Sequence, residues 1–174
     1  MEICGTDQIG GDKGCIVVGG PIESRILQID PAPFDAAKFK GKGWRTILQD
    51  ERSLALTEID LVDGVDFVSC LRGEEIWIPR TEKLKRLKWE GYICLDARAF
   101  LPLYNDPSLV PASWPDRLDG GVETRISFDG TILDGEEGGG CVFVLHKVHG
   151  AWWQQTRSIH ADCRSYDLSV VVRP

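Results

Sequence analysis

The 174-residue chain is 43% hydrophobic and 27% charged, and its net charge is −7. These values are typical of a soluble globular protein, and the length suffices for one domain with a sizeable core. The negative charge argues against general binding to nucleic acids or to anionic membranes. The sequence has no apolar run long enough to span a bilayer. We therefore expect one domain over residues 1–174, with neither a membrane nor a nucleic acid among its partners.

The six cysteines are scattered along the chain, and no two of them form a CxxC pair. They are Cys4, Cys15, Cys70, Cys94, Cys141 and Cys163. This spacing predicts neither a zinc ribbon nor a thioredoxin-like site. Met1–Ile3 has no basic leader of the kind that begins a secretory signal. We expect a cytoplasmic protein whose thiols are reduced and mostly buried.

Short apolar segments bounded by Gly, Pro and Asp predict a series of strands in the first half of the chain. Met1–Gly14 precedes them and is polar and glycine-bearing, so we expect it to be mobile. The predicted strands before residue 80 are Cys15–Val18, Arg25–Ile29, Trp44–Gln49, Leu54–Ile59, Val65–Leu71 and Glu75–Ile78.

A short cationic helix is predicted to begin at Thr81, whose hydroxyl can cap its first turn. On a helical wheel Leu84 and Leu87 share one face, and charged side chains occupy the others. Each buried leucine stabilises a fold by about 1.5–3 kcal/mol, against ~0.2–0.5 kcal/mol for a surface ion pair. We therefore expect the two leucines to set the orientation of this helix.

The strand Trp89–Leu95 and an apolar helix that ends at Tyr104 follow the cationic helix. Asp96 is placed to cap the apolar helix with its carboxylate. Pro102 lies inside this helix, and proline both lacks an N–H and clashes with the preceding turn. We expect a kink or an early end at Pro102.

The dipeptide Asp129–Gly130 is the strongest turn signal in the sequence. It lies between two apolar segments, Val122–Phe128 and Thr131–Leu133. The pattern predicts a hairpin whose two strands meet at this dipeptide.

A second hairpin is predicted from Cys141–Val148 and Ala151–Ile159. A two-residue loop at His149–Gly150 would pair Val148 with Ala151, Lys147 with Trp152 and His146 with Trp153. Both faces of this hairpin are then apolar, and large exposed apolar patches usually mark contact sites. We expect a second copy of the chain to cover one face, which makes the protein a homodimer.

Strands outnumber helices in this prediction, and the chain ends with one more strand, Leu168–Val172. The helices cluster in the middle of the chain. The pattern predicts an α+β fold with a mainly antiparallel sheet. We expect two or three short helices of the Thr81–Tyr104 region to pack on one face of that sheet.

The segments DERSLALTEIDL, GEE, EKLKRLK, GYICLDA, PASW and FDGTIL occur in this order, and most of them lie in Asp50–Trp114. In these segments the chain resembles a family of small bacterial proteins of unknown function, whose pattern includes DERSLALTEID, EKLKRLK, LDA, P-x-SW and FDGT. The chain departs from that pattern at Cys94, where the family has Arg, and at Pro102. Met1–Pro33 is not covered. The resemblance implies a protein carried on mobile gene cassettes, and it implies no activity.

Two groups of residues suggest metal or nucleophile chemistry at first sight. His146 and His149 are three residues apart, but one lies on a strand and the other in a turn, so they do not form a metal site. The segment His160–Cys163 contains an imidazole, a carboxylate and a thiol, yet catalytic groups are assembled in space rather than from near neighbours. We expect a polar turn there, and no catalytic residue, metal or cofactor in the protein.

The segment around the cationic helix contains five cations, namely Arg80, Lys83, Lys85, Arg86 and Lys88. The aromatic residues Trp89 and Tyr92 adjoin it, and phosphate contacts with base stacking would suit a nucleic acid. A basic, solvated helix face explains the same pattern. We favour the solvated face.

Three functions stay open from the sequence. The first is a small, non-enzymatic binding or interaction protein. The second is an enzyme or ligand-binding domain with an aromatic-lined pocket for a small neutral or cationic molecule. The third is a nucleic-acid contact through Arg80–Lys88. The candidate interface or pocket residues are Trp152, Trp153, His146, Trp89 and Tyr92.

Overall fold

The strands and helices are those of a computed structural model, which describes residues 24–115, 123–135 and 138–173. The predicted mobile segment Met1–Gly14 and the predicted strand Cys15–Val18 lie outside these ranges. The helices are α1 (Ala36–Lys40), α2 (Glu51–Leu54), α3 (Arg80–Trp89) and α4 (Ala97–Asn105). A turn of 3-10 helix, Pro107–Leu109, follows α4.

The strands agree in position with most of the predicted ones and are shorter than predicted before residue 100. Those before α3 are β1 (Ile26–Gln28), β2 (Arg45–Gln49), β3 (Glu58–Asp60), β4 (Asp66–Val68) and β5 (Ile78–Pro79). Those after α3 are β6 (Ile93–Cys94), β7 (Arg125–Asp134), β8 (Cys141–Val148), β9 (Ala151–Ser158), β10 (Asp162–Cys163) and β11 (Asp167–Val172). The predicted strand at Leu54–Ile59 is replaced by the end of α2 and by β3.

The main sheet runs in the order β4-β11-β7-β8-β9, with β2 added to β7 and β6 added to β11. All of these pairs are antiparallel except β11 with β7. Two smaller antiparallel pairs, β1 with β3 and β10 with β5, complete the described strands. The predicted α+β class with a mainly antiparallel sheet is confirmed.

Helices α3 and α4 pack on opposite faces of the main sheet. Phe100 of α4 stacks on Phe143 of β8, with ring centroids 4.3 Å apart. Leu84 of α3 packs instead against Val142 and Val144, the neighbours of Phe143 that point to the other face. The expectation that both helices cover one face is therefore corrected. Between the two helices, Cys94 packs with Leu87 on the α3 side and Leu95 packs with Phe100 on the α4 side, so the chain passes from one face to the other at this point.

The hairpin β8–β9 has the predicted register. Val148 pairs with Ala151, Lys147 with Trp152 and His146 with Trp153. Both loop residues, His149 and Gly150, have positive φ angles, of 50° and 84°. That backbone matches the twist of the strands it joins, and glycine adopts it at low cost.

The predicted turn at Asp129–Gly130 is wrong, because both residues lie inside the continuous strand β7. Gly130 donates its N–H to the carbonyl oxygen of Leu95 at 3.0 Å. A Cβ at position 130 would collide with the carbonyl oxygen of Cys94. The glycine therefore serves a close approach of two backbones rather than a turn.

Both helices of the Thr81–Tyr104 region differ in detail from the prediction. Helix α3 begins one residue early, at Arg80, and has no side-chain cap at Pro79. Asp96 caps α4 as predicted, since its carboxylate accepts from the N–H groups of Arg98 and Ala99. Helix α4 continues through Pro102 to Asn105, so the early end is not observed.

Candidate functional site

The parallel strands β7 and β11 separate immediately after the pair Ser127 and Ser169. The backbone of Leu95 enters the gap, accepting from Gly130 at 3.0 Å and donating to the carbonyl of Val170 at 3.1 Å. In open sheets, diverging carboxyl ends of parallel strands leave a crevice in which ligands bind. Here the backbone of Leu95 occupies the gap and bonds to both strands, so no open crevice is left between them.

A buried ion pair lies at this point. Arg80 Nη1 is 2.8 Å from Asp129 Oδ1, and both side chains are fully buried. The guanidinium also donates to Ser127 Oγ at 3.0 Å, and Ser169 Oγ donates to Asp129 Oδ2. Burial acts to raise the pKa of Asp129, but Arg80, Lys83 and these hydrogen bonds outweigh it and hold that pKa below its ordinary value. Asp129 is thus a carboxylate in the interior.

Lys83, one turn along α3 from Arg80, is also fully buried. Its Nζ donates to the backbone carbonyl of Asp167 at 2.6 Å. Burial lowers the pKa of Lys83, against the attraction of Asp129. Arg80 Nε and Nη2 have no hydrogen-bond partner within the described residues. The interior therefore holds two basic side chains, the carboxylate of Asp129 and the buried carboxylate of Asp167, which pairs with Arg157 at 2.6 Å. Such groups of buried charges are typical of functional sites.

A groove of about 660 Å³ opens beside this cluster. Its apolar walls are Leu48, Leu84, Leu87, Cys94 and Ile132. Its polar lining consists of Gln49, Asp50, Glu51, Arg52, Lys88 and Asp129, and the side chain of Asp129 is itself fully buried. We call this space the α3 groove. Its volume lies within the range of roughly 300–1,000 Å³ that small-molecule sites occupy.

Hydrogen bonds fix the segment between β2 and α2 that forms one side of the α3 groove. Asp50 caps α2 and pairs with Arg52, with Oδ2 and Nη2 2.9 Å apart. The same guanidinium donates to the carbonyls of Gly91 and Tyr92, at 2.9 and 2.7 Å. Gln49 donates to the buried carboxylate of Asp96 at 3.1 Å. This side of the groove is preorganised, as binding sites usually are.

The predicted basic face is only partly present. Arg80 and Lys83 are interior residues, and this part of the prediction is corrected. Arg86 is mostly buried and pairs with Glu75 and Glu82. Lys85 and Lys88 are exposed, and Lys88 borders the α3 groove. Helix α3 buries Arg80 and Lys83 together with Leu87, because these residues recur on one face at helical spacing.

The pKa of Glu75 predicts how the stability of the fold depends on acidic pH. Its hydrogen bonds with Arg86 lower the pKa of Glu75 from 4.5 to about 2. A lowered carboxyl pKa stabilises the fold above the ordinary value, and this stabilisation is lost as the pH falls toward 2. The free energies of unfolding of wild type and Glu75→Gln, measured in urea, should differ most at neutral pH and should converge as the pH falls below 4.5. The exposed neighbour Glu74→Gln is the control, and a pH-independent difference for Glu75→Gln would contradict the assignment.

The five candidate interface or pocket residues do not converge on one site. Trp153 is 58% exposed and Trp89 is 87% exposed. Trp152 is half-buried against the core on the α4 side of the sheet, and Tyr92 is half-buried beside Leu87. His146 pairs with Trp153, and burial lowers its pKa. None of them lines the α3 groove.

A second groove has a volume of about 500 Å³. It bears on the predicted aromatic-lined pocket, because one aromatic residue, Trp44, is part of its lining. Trp44 lines it together with Gly138–Gly140. The ammonium of Lys40 lies within 6 Å of the ring centroids of Phe39, Trp44 and Phe143, at 5.7, 5.9 and 5.5 Å. The ammonium group of Lys40 therefore already covers the rings of Phe39, Trp44 and Phe143, where a cationic ligand would otherwise bind.

The described cysteines are Cys70, Cys94, Cys141 and Cys163, and all four are free thiols. Burial raises the pKa of Cys70 to about 11. Within the described ranges no three His, Cys, Asp or Glu side chains are grouped to hold a metal ion. Of the helices in those ranges, none is both long and apolar enough to cross a membrane.

Sequence reasoning missed the residues that matter most in this site. The sequence pattern predicts a turn at Asp129 and a solvated helix face for Arg80 and Lys83, whereas all three side chains are buried. One signal could have found them, since a polar Ser-x-Asp-x-Thr alternation at 127–131 is unusual in an otherwise apolar strand. A comparison of the chain with protein-family models, with curated proteins and with solved structures finds no match.

Proposed function

We propose that this is a non-enzymatic binding protein that holds a small molecule in the α3 groove. The observation that carries the proposal is the buried Arg80–Asp129 pair directly beneath an open groove of about 660 Å³. Buried ion pairs seldom stabilise a fold more than apolar residues of the same volume would. Polar groups retained in the interior at such a cost are typical of functional sites.

The lining of the α3 groove supports a ligand with an apolar body. Leu84, Leu87 and Ile132 form a continuous apolar wall between α3 and the sheet. Six polar residues complete the lining, namely Gln49, Asp50, Glu51, Arg52, Lys88 and Asp129. In small-molecule sites apolar contact supplies affinity and polar groups fix the orientation.

Two adjacent residues of β2 provide a matched test of the groove. Leu48 lines it and is 52% exposed, whereas Ile47 does not line it and is 49% exposed. We expect Leu48→Trp to fill the mouth of the groove and Ile47→Trp to leave it open. Because both side chains already reach solvent, both variants should fold, which urea unfolding would verify.

The readout is thermal stabilisation by a library of small, mainly apolar compounds. A ligand at a hundred times its Kd stabilises the folded state by about 2.7 kcal/mol. Compounds that stabilise wild type and Ile47→Trp should lose their effect on Leu48→Trp. Equal stabilisation of Leu48→Trp and Ile47→Trp would contradict binding in this groove.

Homodimer formation is a second candidate function, supported by β9. This strand is at one edge of the main sheet and presents Trp153 to solvent. Exposed edge strands pair readily with other chains. We expect sedimentation equilibrium at micromolar concentration to show a species of twice the chain mass of 19.4 kDa, weakened by Trp153→Lys. A 19.4 kDa species at every concentration would exclude the dimer.

We also propose that the protein acts in the cytoplasm and is carried on mobile DNA. The free thiols of the described cysteines support the first statement, because reducing compartments keep thiols unpaired. The resemblance of the Asp50–Trp114 segments to gene-cassette proteins supports the second. A nucleic-acid contact through Arg80–Lys88 is not proposed, because two of its five cations are interior.

A further inference from the structure

We propose that Arg52 is a positioning residue of the α3 groove, which keeps the groove narrow enough to favour compact apolar molecules over bulky ones. The inference rests on the proposed function and adds the residue that fixes the distance between the two walls of the groove. One wall is α3, with Leu84, Leu87 and Lys88, and the other is the segment Leu48–Arg52.

The guanidinium of Arg52 joins these two walls by hydrogen bonds. Nη1 donates to the carbonyl oxygen of Gly91 at 2.9 Å, and Nη2 donates to that of Tyr92 at 2.7 Å. Both acceptors lie just beyond the C-terminal end of α3, where the helix dipole favours a cation. A side chain of one wall is thus fixed to the turn that ends the other wall.

Asp50 holds the same guanidinium from within its own wall. Nε donates to Oδ1 at 3.2 Å, and Nη2 donates to Oδ2 at 2.9 Å. Oδ1 also accepts from the backbone N–H of Arg52 at 3.0 Å, which caps α2. Because a guanidinium is planar and its donors have fixed directions, these contacts leave it little freedom. The Arg52 side chain is therefore a spacer of fixed length between the walls.

Helix α3 is held differently at its two ends. At the N-terminal end Arg80 pairs with Asp129, Lys83 donates to the carbonyl of Asp167, and these side chains are buried. The Arg52 contact lies at the C-terminal end, and this side chain is 42% exposed. Contacts that reach solvent open at a lower free energy than buried ones. The C-terminal end is thus where a single substitution can widen the groove.

The distance between the walls decides which apolar molecules bind well. Dispersion contacts weaken steeply with separation, so a ligand gains most affinity when it touches both walls. A compact molecule touches both only while they are held close together, whereas a bulky one also spans a wider groove. Walls fixed in advance therefore favour the compact molecule, and loosened walls remove that preference.

Two neutral compounds with a naphthalene ring test the inference, namely compact 1-naphthylamine and bulkier N-phenyl-1-naphthylamine. The fluorescence of the bulkier compound gives its Kd, and its displacement by the compact one gives the second Kd. In Arg52→Met the Kd of 1-naphthylamine should rise at least about threefold relative to that of N-phenyl-1-naphthylamine. An equal loss of affinity for both compounds, or no loss for either, leaves the ratio unchanged and would overturn the inference.

Arg45→Met is the matched control. Arg45 pairs with Asp134 at 2.9 Å, the distance at which Arg52 pairs with Asp50, but Arg45 does not line the groove. Its substitution should leave the ratio of the two Kd values unchanged. Arg52→Lys keeps a cation without the planar fork, so its ratio should lie between those of wild type and Arg52→Met. A ratio that Arg45→Met changes as much as Arg52→Met does would also overturn the inference.

The variants should fold, because Leu87 of α3 stays packed with Cys94 and Val171 when the Arg52 contact is lost. Urea unfolding verifies this, and Arg52→Lys carries the test if Arg52→Met does not fold.

The outcomes separate this inference from the proposed function. Binding of both compounds that Leu48→Trp abolishes and Ile47→Trp preserves supports the groove itself. With that dependence on Leu48, an unchanged ratio in the Arg52 variants overturns the role of Arg52 alone. Binding of neither compound, or binding indifferent to Leu48→Trp, contradicts both.

Discussion

Replacing Arg80 with methionine should lower the free energy of unfolding by about 3–5 kcal/mol, the usual effect of leaving one buried charge without its partner. Asp129 would keep the hydrogen bond from Ser169 but lose the guanidinium 2.8 Å away. Lys83 donates to the carbonyl of Asp167, and its charge acts on Asp129 without a direct hydrogen bond. Urea unfolding followed by tryptophan fluorescence measures the change.

Removing both charges should cost less than removing one. The double variant Arg80→Met with Asp129→Leu eliminates the uncompensated carboxylate, and buried ion pairs replaced by apolar residues often lose no stability. Lys83 keeps its hydrogen bond to the carbonyl of Asp167, and its pKa, already lowered by burial, falls further without Asp129. Lys85→Met, on the exposed side of α3, is the control for helix propensity and should be nearly neutral. Wild-type stability in the Arg80→Met single variant would show that the ion pair is not buried as described.

Phe100→Ala should destabilise the fold by about 3–5 kcal/mol, as truncation of a fully buried aromatic side chain does. Phe100 stacks on Phe143 at 4.3 Å with an interplanar angle of 6°, and it meets Phe128 edge-on at 5.3 Å. The ring thus joins α4 to two central strands. Equilibrium unfolding in urea measures the loss in free energy of unfolding. The dependence of this free energy on urea concentration is compared between wild type and the variant.

Tyr104 offers a control on the same helix. It stacks on Phe100 with centroids 5.9 Å apart, but it is 38% exposed. Tyr104→Ala should therefore cost clearly less than Phe100→Ala, since part of its surface already contacts water. Equal losses from the two substitutions would contradict the assignment of Phe100 to the centre of the core.

The hairpin β8–β9 could be predicted in full because its information is local. A two-residue loop of His149 and Gly150 fixes the pairing, and each further pair follows by alternation. The cap of α4 at Asp96 is local in the same way. Both features depend on residues within a few positions of each other, which a sequence shows directly.

Asp129–Gly130 shows where such local signals fail. The dipeptide satisfies the requirements of a tight turn, but the glycine is needed where β7 approaches the backbone of Cys94 and Leu95. That approach joins residues 35 positions apart along the chain. The alternation of polar and apolar residues at 127–131 favours a strand, but nothing in this segment indicates which backbone it approaches.

The burial of Arg80 and Lys83 could not be predicted for a related reason. A helical wheel ranks faces by hydrophobicity, and it assigns a basic residue to solvent. Here the carboxylate that pairs with Arg80 belongs to Asp129, 49 residues later in the chain. The carbonyl that accepts from Lys83 belongs to Asp167, 84 residues later. The charged cluster that defines the candidate site is therefore a product of the sheet topology.

Chemical-shift mapping by NMR tests the central claim, a small-molecule site in the α3 groove, most directly. Titration of the labelled chain with a compound that stabilises wild type and Ile47→Trp but not Leu48→Trp should shift the amide signals of Gln49, Asp50, Glu51, Arg52, Leu84 and Lys88, which line the groove. Signals from the hairpin residues Trp152 and Trp153 should not move. Shifts concentrated at these tryptophans, or no shifts at saturating concentration, would contradict the claim.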